Sequence, residues 1–283
     1  MSETIQAEIN FGRRAGEPVL PGEIAVPGFP DNRLAPVRCA IADARQAADL
    51  SLDRQGFAIA SHTSAFAGEE LAGAGQAYRE EMAAFLQDHL GAALVVASQI
   101  GLCVRHADRL VQGPRDADNP GYVDDSAPAN FAHVDYLDPA QVAAHAALGA
   151  EAQGFDVSGY SRMVMVQTWR ALSPPPQDIP LALCDRQTMS SSDFIRIKGV
   201  LPPQNNHQVE EQVYYVGSLH HSDGQNWYYY PSMTPDEVLL FIGLDTALAD
   251  GGQTAHSAFD NRARNPAAQT RKSLEARFYA YYD

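Results

Sequence analysis

FAHVDYLDPAQVAAH, residues Phe131 to His145, changes character within a few positions. Its first part reads as extended chain, where residues i and i+2 point to the same face. His133 and Asp135 then offer an imidazole nitrogen and a carboxylate oxygen to one point, two thirds of a facial metal site. Its second part starts a helix: Asp138 suits an N-cap and Pro139 the first helical position, which predicts a helix from Pro139 to about Ala152.

Beyond that helix the pattern becomes strand-rich. SRMVMVQTWRAL, LALCDR, QVYYVGS, WYYYPSM, DEVLLFIG and RKSLEARFYAYY are short apolar or alternating runs separated by turn residues. Before Phe131 the signals are mixed. Apolar and charged residues recur at helical spacing from about Glu69 to Leu90, and ALVVASQIGLCVR reads as one strand. CAIADARQA and GFAIASHTS read as a strand and a helical turn near the core surface. The Gly- and Pro-rich start reads as an arm with few regular hydrogen bonds. Residues 106–129 form a polar loop, either a lid or plain surface. The expected fold is mainly β with flanking helices, an antiparallel barrel or a double-sheet jelly roll. It is read as a single domain over 1–283: an extended arm over 1–38, a helical and strand support with the loop over 39–130, and the jelly-roll core over 131–283.

A formal net charge of −15 disfavours nucleic acid and anionic membrane as partners, because phosphate binding needs clustered Lys and Arg. The apolar stretches are too short and broken to span a bilayer, and no basic leader precedes an apolar segment. Cys39, Cys103 and Cys184 are scattered, with no CxxC, so a reduced cytoplasmic protein is expected.

The third ligand has to come from a strand on the same inner face. His256, in the return run QTAHSAF after DEVLLFIG, is the best candidate. His220 and His221 sit beside the turn SDGQN, which places them at a rim. His62, His89, His106, His145 and His207 lack a partner at a suitable spacing. Two histidines and one carboxylate leave open metal positions, as in non-haem Fe(II) oxygen chemistry, whereas HExxH is absent. Fifteen residues after His256 comes Arg271, with Ser273 two positions on. A planar guanidinium and a hydroxyl on one face suit the distal carboxylate of 2-oxoglutarate. Arg277 on the same face can share or take that role, and Arg170 is a further inward candidate.

The order HVD, WRAL…PLALCD, WYYYPSM, DEVLLF, AHSAFDN and RKSLEAR, preceded by SLDRQGFAIASHTSAF, resembles the 2-oxoglutarate/Fe(II) oxygenase-like family of gibberellin GA4 desaturase, CmcJ-type proteins and AsaB-type hydroxylase/desaturases. The resemblance runs from roughly Ala40 to the end. It departs at Trp169-Arg170-Ala171-Leu172, where the family has a proline third. It implies a double-stranded β-helix, a cupin-like jelly roll, with iron on His133, Asp135 and His256, and 2-oxoglutarate on Arg271 and Ser273. It also implies O2 as oxidant and a small-molecule substrate that is hydroxylated, desaturated or cyclised, in secondary metabolism. Tyr136, Trp169, Tyr230 and Phe259 are candidate substrate contacts. Two rivals remain: an iron oxidase that does without 2-oxoglutarate, and a non-catalytic jelly-roll accessory or binding protein. No GxSxG points to a hydrolase.

Overall fold

Alternating burial builds this molecule from strands. A computed structural model describes residues 3–26, 29–66, 71–99, 102–107, 124–201 and 212–283. In chain order its strands begin with β1 (Thr4–Arg13), β2 (Ile24–Val26), β3 (Phe29–Asp43), β4 (Phe57–Ser61), β5 (Leu94–Ala97), β6 (Cys103–His106), β7 (Asp124–Ser126) and β8 (His133–Val134). They continue with β9 (Arg162–Ala171), β10 (Leu181–Cys184), β11 (Phe194–Leu201), β12 (Gln212–Leu219), β13 (Trp227–Tyr229), β14 (Glu237–Asp245), β15 (His256–Ala258) and β16 (Lys272–Tyr282). Two helices, α1 (Leu71–Leu90) and α2 (Pro139–Ala152), complete the frame.

The strands form two sheets. One runs β1-β3-β13-β10-β15-β8-β12-β11, with β2 on β3. The other runs β4-β14-β9-β16-β6-β7, with β5 on β16. Between them Leu181 and Leu183 of β10 pack with Trp169, Ala171, Leu239 and Phe241 of the second sheet. The outer face of the second sheet, with Val164, Val166, Leu274 and Phe278, is covered by Tyr78, Met82 and Leu86 of α1. Helix α2 buries Val142, Ala146 and Ala150 against Met163, Met165 and Tyr279. This is the mainly β jelly-roll with flanking helices that the sequence suggests.

Helix α2 has the expected bounds, and the Asp138 carboxylate caps it by accepting from the Gln141 N–H at 3.1 Å. Helix α1 is described from Leu71, and residues 67–70 lie outside the described chain. Four expectations differ from the structure. GFAIASHTS contributes strand β4, and Asp124–Ser126, at the end of the 106–129 stretch, forms β7 beside β6. The arm over 1–38 is regularly paired: β1 and β3 run antiparallel from Thr4↔Ala42 to Arg13↔Arg33. The reason is the alternation Ile5, Ala7, Ile9, Phe11, all buried, which gives β1 one apolar face. ALVVASQIGLCVR is two strands rather than one. β5 lies against Phe278–Tyr281 and β6 against Lys272–Glu275 of the same long strand. Most of the 106–129 loop, residues 108–123, lies outside the described chain, as does His207.

Candidate metal centre

The ladder between β8 and β15 sets the site. His133 and His256 are cross-strand partners, with ring centroids 4.4 Å apart. Asp135 follows as soon as β8 ends. The ligand atoms of His133, Asp135 and His256 all lie within 4.8 Å of one another. The expected third ligand is therefore beside the other two. His220 instead meets Glu17 at 2.9 Å, and His221 packs edge-on against Phe11 at 5.0 Å, both away from the cluster.

Backbone carbonyls orient both rings. His133 Nδ1 is 2.8 Å from Phe131 O, and His256 Nδ1 is 3.2 Å from Thr254 O. A carbonyl only accepts, so each Nδ1 donates, which leaves Nε2 as the nitrogen of each ring available to a metal. Burial, and then the neighbouring His133, push His256 down to about 4, so it stays neutral. Phe241 covers the His256 ring, with centroids 4.8 Å apart.

The two oxygens of Asp135 have different surroundings. Oδ1 is 3.4 Å from His133 Nε2, on the histidine side. Oδ2 accepts from Gln167 Nε2 at 2.9 Å and from Arg277 Nε at 3.1 Å, and Arg277 Nη2 also reaches it. Burial alone would push the carboxyl up, but the Arg277 guanidinium overrides it and holds Asp135 well below the usual carboxylate range. Two imidazoles and one ionised carboxylate oxygen on one side suit a divalent, oxygen-activating metal.

The same pocket is lined by Arg105, Gln167, Trp169, Leu181, Arg271 and Glu275. Arg271 is almost fully buried; its Nε donates to Ser273 Oγ at 2.9 Å and its Nη1 to Ile179 O at 3.0 Å. Among the described residues its Nη2 makes no hydrogen bond, and the guanidinium carbon lies 5.0 Å from the Trp169 ring centroid. Trp169 Nε1 is buried and has no hydrogen-bond partner among the described residues. An acceptor-only dianion fits these donors.

The remaining expected residues divide. Ser273 does not line the pocket; its hydroxyl stands behind Arg271 and fixes the guanidinium. Arg277 is occupied with Asp135, which leaves Arg271 as the anchor candidate. Arg170 is displaced from the pocket by the period of two: it points to the α1 side and donates to His62 O at 2.7 Å and to Pro235 O. Tyr136 lies near Arg277, with guanidinium carbon and ring centroid 6.0 Å apart. Tyr230 and Phe259 are core residues, packed on Phe57 and Tyr229 respectively, and neither lines the pocket. Gln167, Glu275, Arg105 and Phe241 were not anticipated. For Gln167 and Glu275 the signal was present, since they share inward faces with Trp169 and Arg277. Arg105 and Phe241 arrive by cross-strand register, which no local pattern reveals.

A family model described as Oxidoreductase/YMDC permease-like domain matches residues 26–281. The hydroxylase/desaturase efuI of Hormonema carpetanum is 30% identical over 247 residues, covering 83% of this chain and 80% of that one. The chain belongs to the 2-oxoglutarate/Fe(II) oxygenase-like family of hydroxylase/desaturases. Within that family, asaB of Aspergillus flavus is 32% identical over 132 residues, 44% of this chain and 57% of that one. The solved iron and alpha-ketoglutarate-dependent endoperoxidase NvfI shares the fold, with a TM-score of 0.72 at 20% identity, covering 99% of this chain and 98% of that one. Among the described residues no helix is long and apolar enough to cross a membrane.

Proposed function

We propose that this family member is an Fe(II)- and 2-oxoglutarate-dependent dioxygenase that hydroxylates, desaturates or cyclises a small molecule of secondary metabolism. His133 Nε2, Asp135 Oδ1 and His256 Nε2 hold the iron, and Arg271 receives the distal carboxylate of 2-oxoglutarate. When bound, iron with 2-oxoglutarate and O2 supplies the oxidising power to remove hydrogen from a C–H bond, with succinate and carbon dioxide as co-products. The protein's residues orient and shield. Phe131 O and Thr254 O aim the imidazoles, Arg277 and Gln167 hold Asp135, and Ser273 holds Arg271. Phe241, Leu181 and Trp169 give the pocket apolar walls that exclude water.

The observation that carries this reading is one pocket holding both the His–Asp–His cluster and a buried arginine with a nitrogen left open. Several relatives point the same way by name, among them the alpha-ketoglutarate-dependent dioxygenase phiK of a fungal species, 26% identical over 75% of this chain and 72% of that one. The strands of the N-terminal arm share a sheet with both ligand strands, which supports one oxygenase unit over 1–283. Three free, buried cysteines suit a reducing cytoplasm.

Anaerobic titration of metal-free protein with Fe(II), then 2-oxoglutarate, tests the proposal. The expected outcome is the visible charge-transfer band of the chelate, lost in His256→Ala and weakened in Arg271→Ala. Iron binding without a band on adding 2-oxoglutarate would move the reading to an oxidase that does without the co-substrate. No binding of either would leave a non-catalytic pathway protein.

A further inference from the structure

An anion pocket that carries its own carboxylate needs an explanation. Glu275 lies on β16 between Ser273 and Arg277 and lines the pocket with Arg271. Its Oε2 accepts from Arg105 Nε at 3.1 Å. Its Oε1 stands 3.7 Å from Arg271 Nη2, in ion-pair range but too long for a hydrogen bond. Among the described residues that Nη2 is the nitrogen of Arg271 with no hydrogen-bonded partner, while Nε and Nη1 are taken by Ser273 and Ile179. Burial pushes the Glu275 carboxyl up, but Arg105, Arg271 and Arg277 together hold it below its ordinary value, so it is charged.

A guanidinium as deeply buried as that of Arg271 is costly without a counter-charge. Glu275 supplies that charge loosely on one side, and its firmer hold on Arg105 gives it somewhere to remain when another anion arrives. We propose that Glu275 is an internal counter-anion to Arg271, displaced from it by the distal carboxylate of the incoming dicarboxylate, and that it thereby sets the affinity of the site for 2-oxoglutarate. This rests on Arg271 being the co-substrate anchor. Two carboxylates sharing one guanidinium repel each other in a poorly screened pocket, so the protein's carboxylate lowers the affinity for the ligand's.

The test is anaerobic titration of Fe(II)-loaded protein, following the visible band, with two probes. One is 2-oxoglutarate; the other is 2-oxopentanoate, which has the same chain length but lacks the distal carboxylate. Glu275→Gln is expected to bind 2-oxoglutarate about tenfold more tightly than wild type, and 2-oxopentanoate about equally. Glu275→Asp, which keeps the charge, is expected to stay within about threefold of wild type for both. Should the glutamine variant not fold, Glu275→Met removes the same charge at similar length. Unchanged or weaker 2-oxoglutarate binding in the neutral variants, or an equal gain for both probes, overturns the proposal. Absence of any band in the wild type overturns the anchor reading itself, and this proposal with it.

Discussion

At Asp135 the division of labour between two oxygens decides what the site can do. Oδ2 is held by Gln167 and Arg277, so Oδ1 alone is presented beside the histidines. A one-oxygen carboxylate leaves more of the metal's positions open than a chelating one. Arg277→Met should therefore lower Fe(II) or Co(II) affinity by about 10- to 100-fold, the usual cost of losing a partner that orients a metal ligand. Arg277→Lys should recover part of the loss, since it restores charge without the two-nitrogen grip. Metal titration monitored by Co(II) absorption checks both, and unchanged affinity in the methionine variant would count against the orienting role. At this scale the sequence was informative where chemistry is local. The His133–Asp135 pair follows from a period of two, and His256 from its place on a return strand. It does not encode orientation: Arg277, a possible anchor by its face of β16, is engaged by Asp135, and Arg170 faces α1.

Between elements, the approach to β15 depends on Gly56. Its φ is +88°, a region that disfavours a side chain, and a Cβ there would come within 2.3 Å of Thr254 Oγ1. The Gly56 carbonyl accepts from Thr254 Oγ1 at 2.8 Å and from the Ile242 N–H at 2.8 Å, tying the turn before β4 to β14 and to the segment entering β15. Thr254 O in turn faces His256 Nδ1. Gly56→Ala should cost about 1–3 kcal/mol by denaturant unfolding, as strained backbone does. It should also weaken metal binding, because the strain falls beside Thr254, whose carbonyl aims His256. A variant with wild-type stability would show that the turn relaxes freely. Elements with strong internal patterns were legible: α2 with its cap, and β9, β14 and β16 with their apolar runs. Elements defined by a neighbour were not. The break between β5 and β6 is set by what each pairs with on β16, and the regular pairing of β1 depends on β3, more than twenty residues away in register at Thr4↔Ala42.

Over the whole molecule, charge and metal act through linkage to folding. The outer ends of β9 and β14 are joined by a two-bond contact from Arg162 to Asp245, at 2.9 and 2.6 Å. Burial pushes the Asp245 carboxyl up, but Arg162 and the Ala247 N–H bring it below its ordinary value. A lowered folded-state value contributes stability above the unfolded value of about 4, and that contribution is lost as pH falls through the folded value. Arg162→Met should thus destabilise the protein at neutral pH and start acid unfolding at a higher pH, which an acid titration followed by circular dichroism would read. The metal enters by the same arithmetic. His133 comes from β8, His256 from β15 and Asp135 from the chain just beyond β8, so the unfolded chain has no such cluster and a bound ion favours the folded state. At a free metal concentration about 100 times Kd the gain is about 2.7 kcal/mol. For a chain of this size that corresponds to a rise in Tm of about 5 °C. Chelation with EDTA should remove the rise and added Fe(II) under anaerobic conditions should restore it. His256→Ala should show neither, while Tyr230→Phe, altered in the core away from the pocket, should keep the full response. A metal-induced rise that survives His256→Ala would place the stabilising ion elsewhere on this acidic surface, and the three-residue cluster would lose its claim to it.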